Sequence, residues 1–418
     1  MSRTQAFAQV VCLLLTCASA TLRAAENWPQ IHGPRGDGHS DSKGLPHTWS
    51  ESKNVKWKTA IHDKGWSSPV IWGNQVWLTT ATDKGEQSFV LCLDKETGKI
   101  IHDLKLFDNE NVDDIRKYNT YASPTCAIEE GRVYVHFGSY GTACLDTRTA
   151  KTLWTRRDLP CNHFRGPGSS PFLFENLVII HFDGHDYQYA VALNKQTGKT
   201  VWKKDRDVDY GTKDGDTMKA YCTPIVIEVG GQKQLISPTS KAALALDPST
   251  GEEIWRIRYP GFSVAARPLY SPTLGLLFIN TGFGKGEIHT VKPDGRGDLT
   301  DAVVWRNKRS MPSKPSSLLI GDLLFQVDDT GTATCLEAKT GEEVWMKRLA
   351  GQYSSSPLFA EGKIYFFNNE GMTTVIEAGK SFKLLAENKL DEGFMASPAA
   401  SGKALYLRTK THLYRLEE

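Results

Sequence analysis

The sequence predicts an all-β fold, an eight-bladed β-propeller of four-stranded antiparallel blades. Three observations carry that expectation. A short phrase recurs along the chain, and a second marker recurs out of phase with it. The segments between them alternate apolar and polar residues, with no helix-period stretch of useful length.

The phrase comes first. CLDKETGKIIH (92–102), CLDTRTAKTLW (144–154), ALNKQTGKTVW (192–202), ALDPSTGEEIW (245–255) and CLEAKTGEEVW (335–345) align without gaps. A looser copy ends at Val304-Trp305, and VIEAGKSFKLL (375–385) lacks the Trp. Asp-x-x-Thr-Gly is turn chemistry: the carboxylate accepts backbone N–H groups, and Gly accepts a positive φ. The second marker is a residue followed by Pro: Ser68-Pro69, Ser123-Pro124, Ser170-Pro171, Thr223-Pro224, Arg267-Pro268, Lys314-Pro315, Ser356-Pro357 and Ser397-Pro398. The prolines lie 41 to 55 residues apart, a length that suits four short strands. Pro opens the first strand, where a missing donor costs least. Runs such as Arg132-Val-Tyr-Val-His-Phe137 and Lys363-Ile-Tyr-Phe-Phe367 supply β-branched and aromatic strands. Each blade therefore reads Pro-strand, second strand, strand ending in Leu-Asp, turn, strand carrying Trp. Ser397 to Leu416 supplies only three strands, and Val55-Lys-Trp-Lys58 reads as an orphan fourth. Pairing the two would close the ring and remove its open edges.

The ends and the composition narrow the setting. Residues 1–25 read as a secretory signal peptide: an early Arg3, an apolar run from Val10 to Leu15, then small residues. Leu14-Leu15-Thr16-Cys17 also resembles a bacterial lipobox, with Thr16 a poor match; it would anchor the chain as a lipoprotein through Cys17. Residues 26–53 form a leader, and 54–418 the propeller. The expected location is the periplasm, with no transmembrane segment in the mature chain, which is expected to be a monomeric ring. Beyond the signal the chain carries 48 basic residues against 48 acids, so it has no field for nucleic acid or membrane surfaces. Cys92, Cys144 and Cys335 share one repeat position where Ala192 and Ala245 stand in other copies, which reads as a small buried site. Cys126, Cys161 and Cys222 leave at most one disulfide, unassigned.

The repeated phrase resembles the tryptophan-docking repeat of the pyrroloquinoline-quinone (PQQ)-type β-propellers, over residues 54 to 418. The leader Trp28-Pro-Gln-Ile-His-Gly-Pro-Arg-Gly-Asp-Gly38 resembles the start of exported bacterial PQQ-like repeat proteins. The resemblance implies that Trp57, Trp154, Trp202, Trp255, Trp305 and Trp345 pack between neighbouring blades. Two branches share the fold. One is the quinoprotein dehydrogenases, which hold PQQ and calcium on the propeller axis beside two adjacent cysteines, using a Glu, an Asn and an Asp. The other is non-enzymatic, like the outer-membrane assembly factor BamB. This chain has no Cys-Cys, and no such trio aligns. The expectation is therefore an exported, non-enzymatic, BamB-like binding or scaffold propeller with no cofactor, its partner a periplasmic or outer-membrane protein or a glycan. A PQQ- and calcium-dependent oxidoreductase acting on an alcohol or sugar is the alternative, and a glycan- or polymer-binding propeller the third reading.

Binding is expected on the face built by the loops that enter each blade. Trp66, Tyr118, Tyr121, His163, Arg165, Tyr221, Arg267, Lys314, Tyr353 and Phe394 lie in those loops, where aromatics with Arg and Lys form a rim. Arg267 and Lys314 take the Ser position of the Pro marker. His181-Phe-Asp-Gly-His-Asp186 offers His181, Asp183 and His185 as weak metal ligands; the plainer reading is a polar turn. GxGxxG after a strand, the P-loop, HExxH and GxSxG are all missing.

Overall fold

Residues 27–115, 118–284 and 286–418 are described by a computed structural model; the signal segment and Cys17 lie outside them. Eight antiparallel sheets form a β-propeller. Blade 1 comprises Val70–Trp72, Gln75–Ala81, Gln87–Asp94 and Ile100–Asp108. Blades 2 to 7 span residues 127–156, 172–205, 225–258, 269–307, 318–348 and 358–389. Blade 8 takes Ala399–Ser401, Ala404–Arg408 and His412–Leu416 from the C-terminus, and Val55–Ala60 completes it, with Lys58 opposite Tyr414 and Ala60 opposite His412. Alternate strands run in opposite senses. The loops entering each blade thus share one face with the second-to-third-strand turns; we call this the loop face. The Asp-x-x-Thr-Gly turns lie on the opposite, turn face.

Those turns form as their composition dictates. Asp94 Oδ1 accepts the N–H groups of Glu96 and Thr97 at 3.0 and 2.7 Å, and Gly98 has φ of 71°. The Trp of one blade lies on the Gly of the next blade's turn. A Cβ on Gly98, Gly198, Gly251 or Gly341 would meet Trp57, Trp154, Trp202 or Trp305 at 2.5 to 2.7 Å. Each indole N–H donates to a carbonyl of the same turn: Lys95, Lys195, Pro248 and Ala338. Trp345 donates to Gly379 O. Trp255 departs from the pattern. The next blade has no Thr-Gly turn, so Trp255 donates to Gln234 Oε1 in its own blade, at 2.8 Å. Gly297–Asp298 runs parallel to the outer strand of this blade at Trp255 and Arg256.

The Pro marker proves to be offset in two blades. A belt of hydroxyl–amide hydrogen bonds joins neighbouring blades near the axis. Ser397 N donates to Ser68 Oγ, Ser68 N to Thr125 Oγ1, Thr125 N to Ser170 Oγ and Ser170 N to Thr223 Oγ1. Arg267 N donates to Ser316, Ser316 N to Ser356 and Ser356 N to Ser397. Thr125 and Ser316, not Ser123 and Lys314, therefore hold the repeat position in blades 2 and 6. Arg267 occupies that position in blade 5, and its guanidinium donates to Pro224 O at 2.8 Å in place of a hydroxyl contact.

The leader fills the channel on the turn-face side. Trp28 exchanges two backbone hydrogen bonds with Ile71, Pro29 O accepts from Ile128, and Gly38 and Ser40 bracket Phe359. These are innermost strands of blades 1, 2 and 7, whose channel-side edges would otherwise be unpaired. Trp28, Leu45 and Trp49 belong to one apolar core with Ile71, Leu358 and Tyr406. Burying a side chain of this size contributes about 2–3 kcal/mol.

Candidate functional site

Half of the ten residues expected on the loop-face rim turn inward and are buried. Tyr353 and Phe394 are wholly buried, Phe394 packing edge-on against Phe367. Tyr121 is buried beneath Gly85, and its hydroxyl donates to Asp113 O at 2.7 Å. His163 is buried with Nδ1 3.4 Å from Lys219 Nζ and 3.8 Å from Cys161 Sγ. Burial, reinforced by Lys219, keeps its imidazole neutral, well below the usual histidine range. Burial also lowers Lys219 to about 8, and its Nζ lies 4.8 Å from the half-buried Tyr221 ring. Arg165 is ion-paired with Asp216, and Lys314 lies 3.7 Å from Asp329. Arg267 points away from the rim: Nη1 donates to Ile31 O and Gly36 O of the leader. The loops fold back on neighbouring blades because their backbone groups need partners there, and the aromatics follow. Only Tyr118, 67 % exposed, and the half-buried Trp66 remain of the expected aromatics with substantial loop-face surface apart from Tyr221.

The suggested metal ligands are also separated. Asp183 forms a two-bond pair with Arg206, both contacts 2.7 Å and both side chains 1 % exposed. Thr239 Oγ1 donates to the same carboxylate at 3.0 Å. His181 lies between Ser237 Oγ, 2.8 Å from Nε2, and Cys222 O, 3.0 Å from Nδ1. His185 packs elsewhere, against Phe164 and Gly215. Asp183 is thus a structural counter-ion between blades 3 and 4 rather than a simple turn residue. Cys126, Cys161 and Cys222 are free and buried.

Calcium takes about six to eight oxygen ligands, and PQQ would share them. The buried carboxylates available do not assemble that set. Asp183 is taken by Arg206, and Glu287 is bound by His289 at 2.9 Å and Lys308 at 3.0 Å. Among the described residues no three His, Cys, Asp or Glu side chains stand together as metal ligands do. The buried carboxylates Asp183 and Glu287 are thus each committed to cations of the protein itself.

What the loop face does present is aromatic. Among the described residues the exposed aromatic side chains are Tyr118, Phe164, Tyr187 and Phe283, all in loops of this face. Tyr187 and Phe283 were legible only as Gly-flanked turns, Gly184-His-Asp-Tyr187 and Gly282-Phe283-Gly284. On the same face an open cleft of about 1090 Å³ lies between blades 8, 1 and 2, with Trp66, Glu110 and Lys410 in its walls.

Comparison with known proteins agrees with this architecture. The family described as outer membrane protein assembly factor BamB matches residues 47–205, 186–280 and 284–381. A quinoprotein ethanol dehydrogenase of Pseudomonas aeruginosa is 34% identical over 207 residues, 46% of this chain and 30% of that protein. The outer membrane protein assembly factor BamB of Legionella pneumophila is 25% identical over 209 residues, 49% of each chain. The aligned part spans half or less of these curated relatives. Among solved structures, BamB of Moraxella catarrhalis superposes with a TM-score of 0.61 at 13% identity, covering 87% of this chain and 97% of that one. A europium-containing methanol dehydrogenase superposes with a TM-score of 0.71 at 11% identity, covering 96% and 99%. At these identities the superpositions speak to fold alone.

Proposed function

The chain belongs to the PQQ-repeat propeller family described as outer membrane protein assembly factor BamB, and from that premise we propose that it is an exported, non-enzymatic propeller that docks a partner protein on its loop face. One observation carries this reading. The exposed aromatic side chains gather on that face, whereas the exposed aliphatics Ile101, Leu153, Val201, Val304 and Leu384 are spread over the outer strands. Tyr118, Phe164 and Tyr187 stand on adjoining loops. Asn119 Nδ2 donates to Arg165 O at 2.8 Å, and Asn162 N to Asp186 Oδ1 at 2.7 Å. Clustered aromatics on loops held by a rigid ring are the usual anchors of a protein interface.

The test is a photo-crosslinking residue placed at Phe164, at Tyr187 and, as control, at Leu153 on an outer strand. Discrete periplasmic or outer-membrane adducts from the first two positions alone support docking. Equal labelling at all three sites counts against it. The 34% identity to a quinoprotein dehydrogenase segment favours the second reading, a PQQ- and calcium-dependent oxidoreductase of alcohols or sugars. Tight, stoichiometric, calcium-dependent PQQ binding to the purified chain would establish that reading instead.

A further inference from the structure

We propose that the turn-face groove between the leader and the innermost strands of blades 4 and 5 takes an extended, apolar and basic peptide segment of a partner protein as an added strand. This goes beyond loop-face docking, and its failure would leave that reading untouched. The leader itself shows how such a strand is held. Its backbone bonds fall three residues after the belt position of each blade it meets: at Ile71 after Ser68, at Ile128 after Thr125 and at Phe359 after Ser356. The same step leads to Val226 after Thr223 in blade 4 and to Tyr270 after Arg267 in blade 5. Among the described residues no backbone bond of the leader reaches either one. Both are half-buried and line a groove of about 380 Å³, with Arg35, Gly36 and Asp37 on its leader side and Leu319 from blade 6. That volume sits low in the roughly 300–1,000 Å³ range of ligand sites and holds a few extended residues.

Blade 4 offers the better template. Its innermost strand Ile225–Val229 has five residues, against three in each of the other seven blades. Pro224 O accepts from Arg267 on the channel side, and strand alternation turns the N–H and C=O of Val226 and Glu228 to that same side. The run is β-branched except at Glu228, and a long apolar edge pairs readily with another chain. Glu228 sets the charge of the incoming strand. Its cross-strand neighbour Lys233 is drawn to Glu175 at 2.7 Å, and Arg35 is held by Asp37 and Asp41. The exposed Glu228 carboxylate therefore suits a lysine or arginine of the partner. A second folded copy keeps its own innermost edges inside its channel, whereas an extended segment can enter and pair through its main chain.

The experiment titrates the full chain with two capped hexapeptides, acetyl-Lys-Val-Thr-Val-Lys-Val-amide and its register-shifted form acetyl-Val-Lys-Val-Thr-Val-Lys-amide. Binding is read by calorimetry and by hydrogen exchange of Ile225–Val229. At least one should bind with Kd of about 0.5 mM or tighter and slow exchange in that strand ~10-fold. The same peptide with its backbone nitrogens methylated should not bind. Val226→Pro, tolerated where an edge N–H faces away from the sheet, should weaken binding at least ~10-fold. Glu228→Lys should weaken it ~3- to 10-fold and turn the preference toward peptides carrying Glu in place of Lys. Phe164→Ser, on the loop face, should leave it unchanged. No binding of either peptide at about 5 mM overturns the proposal. So does binding that survives methylation or Val226→Pro, or self-association of the chain that Val226→Pro disrupts in place of peptide binding.

Discussion

The indole of Trp154 lies flat on Gly198 of the next blade, so close that a Cβ there would meet the ring at 2.7 Å, while its N–H donates to Lys195 O at 2.8 Å. Donor and receiver are lost together elsewhere. Blade 1 carries His102 where blades 2, 3 and 6 carry Trp154, Trp202 and Trp345, and the blade it faces carries Ala150 where blades 1, 3, 4 and 6 carry Gly98, Gly198, Gly251 and Gly341. The Gly of the repeated phrase therefore answers to its neighbour's tryptophan as well as to its own positive φ.

Replacing Gly198 with Ala should destabilise the protein by about 2–4 kcal/mol, since the methyl meets the indole and the backbone holds φ of 69°. Ala150→Gly, in the turn that faces no tryptophan, should change stability by no more than about 1 kcal/mol. Urea unfolding midpoints of the two variants decide it. Equal effects would reduce the turn glycine to a backbone requirement.

Arg267 is the pin that holds the leader in the channel. Its guanidinium reaches Ile31 O, Gly36 O and Pro224 O, and only 4 % of the residue is exposed. Arg267→Met keeps the stem but leaves three carbonyls without donors, a loss of about 2–4 kcal/mol. Limited proteolysis should then cut within residues 30–40 at protease levels that spare the parent chain.

Acid should unfold the protein through its buried histidines. Burial lowers His136 and His32 to about 3, His32 with help from Arg267. An unfolded histidine titrates near 6.5. Between pH 3 and 6.5 the unfolded chain thus binds more protons, so stability is full above 6.5 and falls as pH drops toward 3. Each such group contributes up to about 1.4 kcal/mol per pH unit. His136→Asn should reduce the loss between pH 6.5 and 5 by about 1–2 kcal/mol. An unchanged slope would mean His136 is protonated in the native ring.

Asp183→Asn should cost about 3–5 kcal/mol, because Arg206 would stay buried without its counter-ion. Asp186→Asn, on an exposed side chain nearby, should cost about 1 kcal/mol or less, because Asn keeps the Oδ1 that accepts from Asn162 N and Tyr187 N. Thermal unfolding measured with calcium and with chelator should give the same difference. A calcium-dependent gap would make Asp183 a ligand.

Blade number, turn chemistry and ring closure were legible in the chain because each depends on local periodicity: the Asp-x-x-Thr-Gly turn, alternating strands, and a Trp-bearing strand left over near the start. The docking of Trp57, Trp154, Trp202, Trp305 and Trp345 followed from repetition and resemblance. Other features depend on residues brought together only by closure. The Pro marker pointed to Ser123 and Lys314 as the repeat position in blades 2 and 6, whereas Thr125 and Ser316 hold it, because that position is set by distance to neighbouring blades. Asp183 meets Arg206 across 23 residues. Arg267 meets the leader across more than 230. Tyr353 and Phe394 read as rim residues but are buried, since a loop's exposure is fixed by what it folds against. Local sequence determined how each blade is built. Tertiary structure decided which loop aromatics face solvent and what fills the axis, because burial is a property of the closed ring.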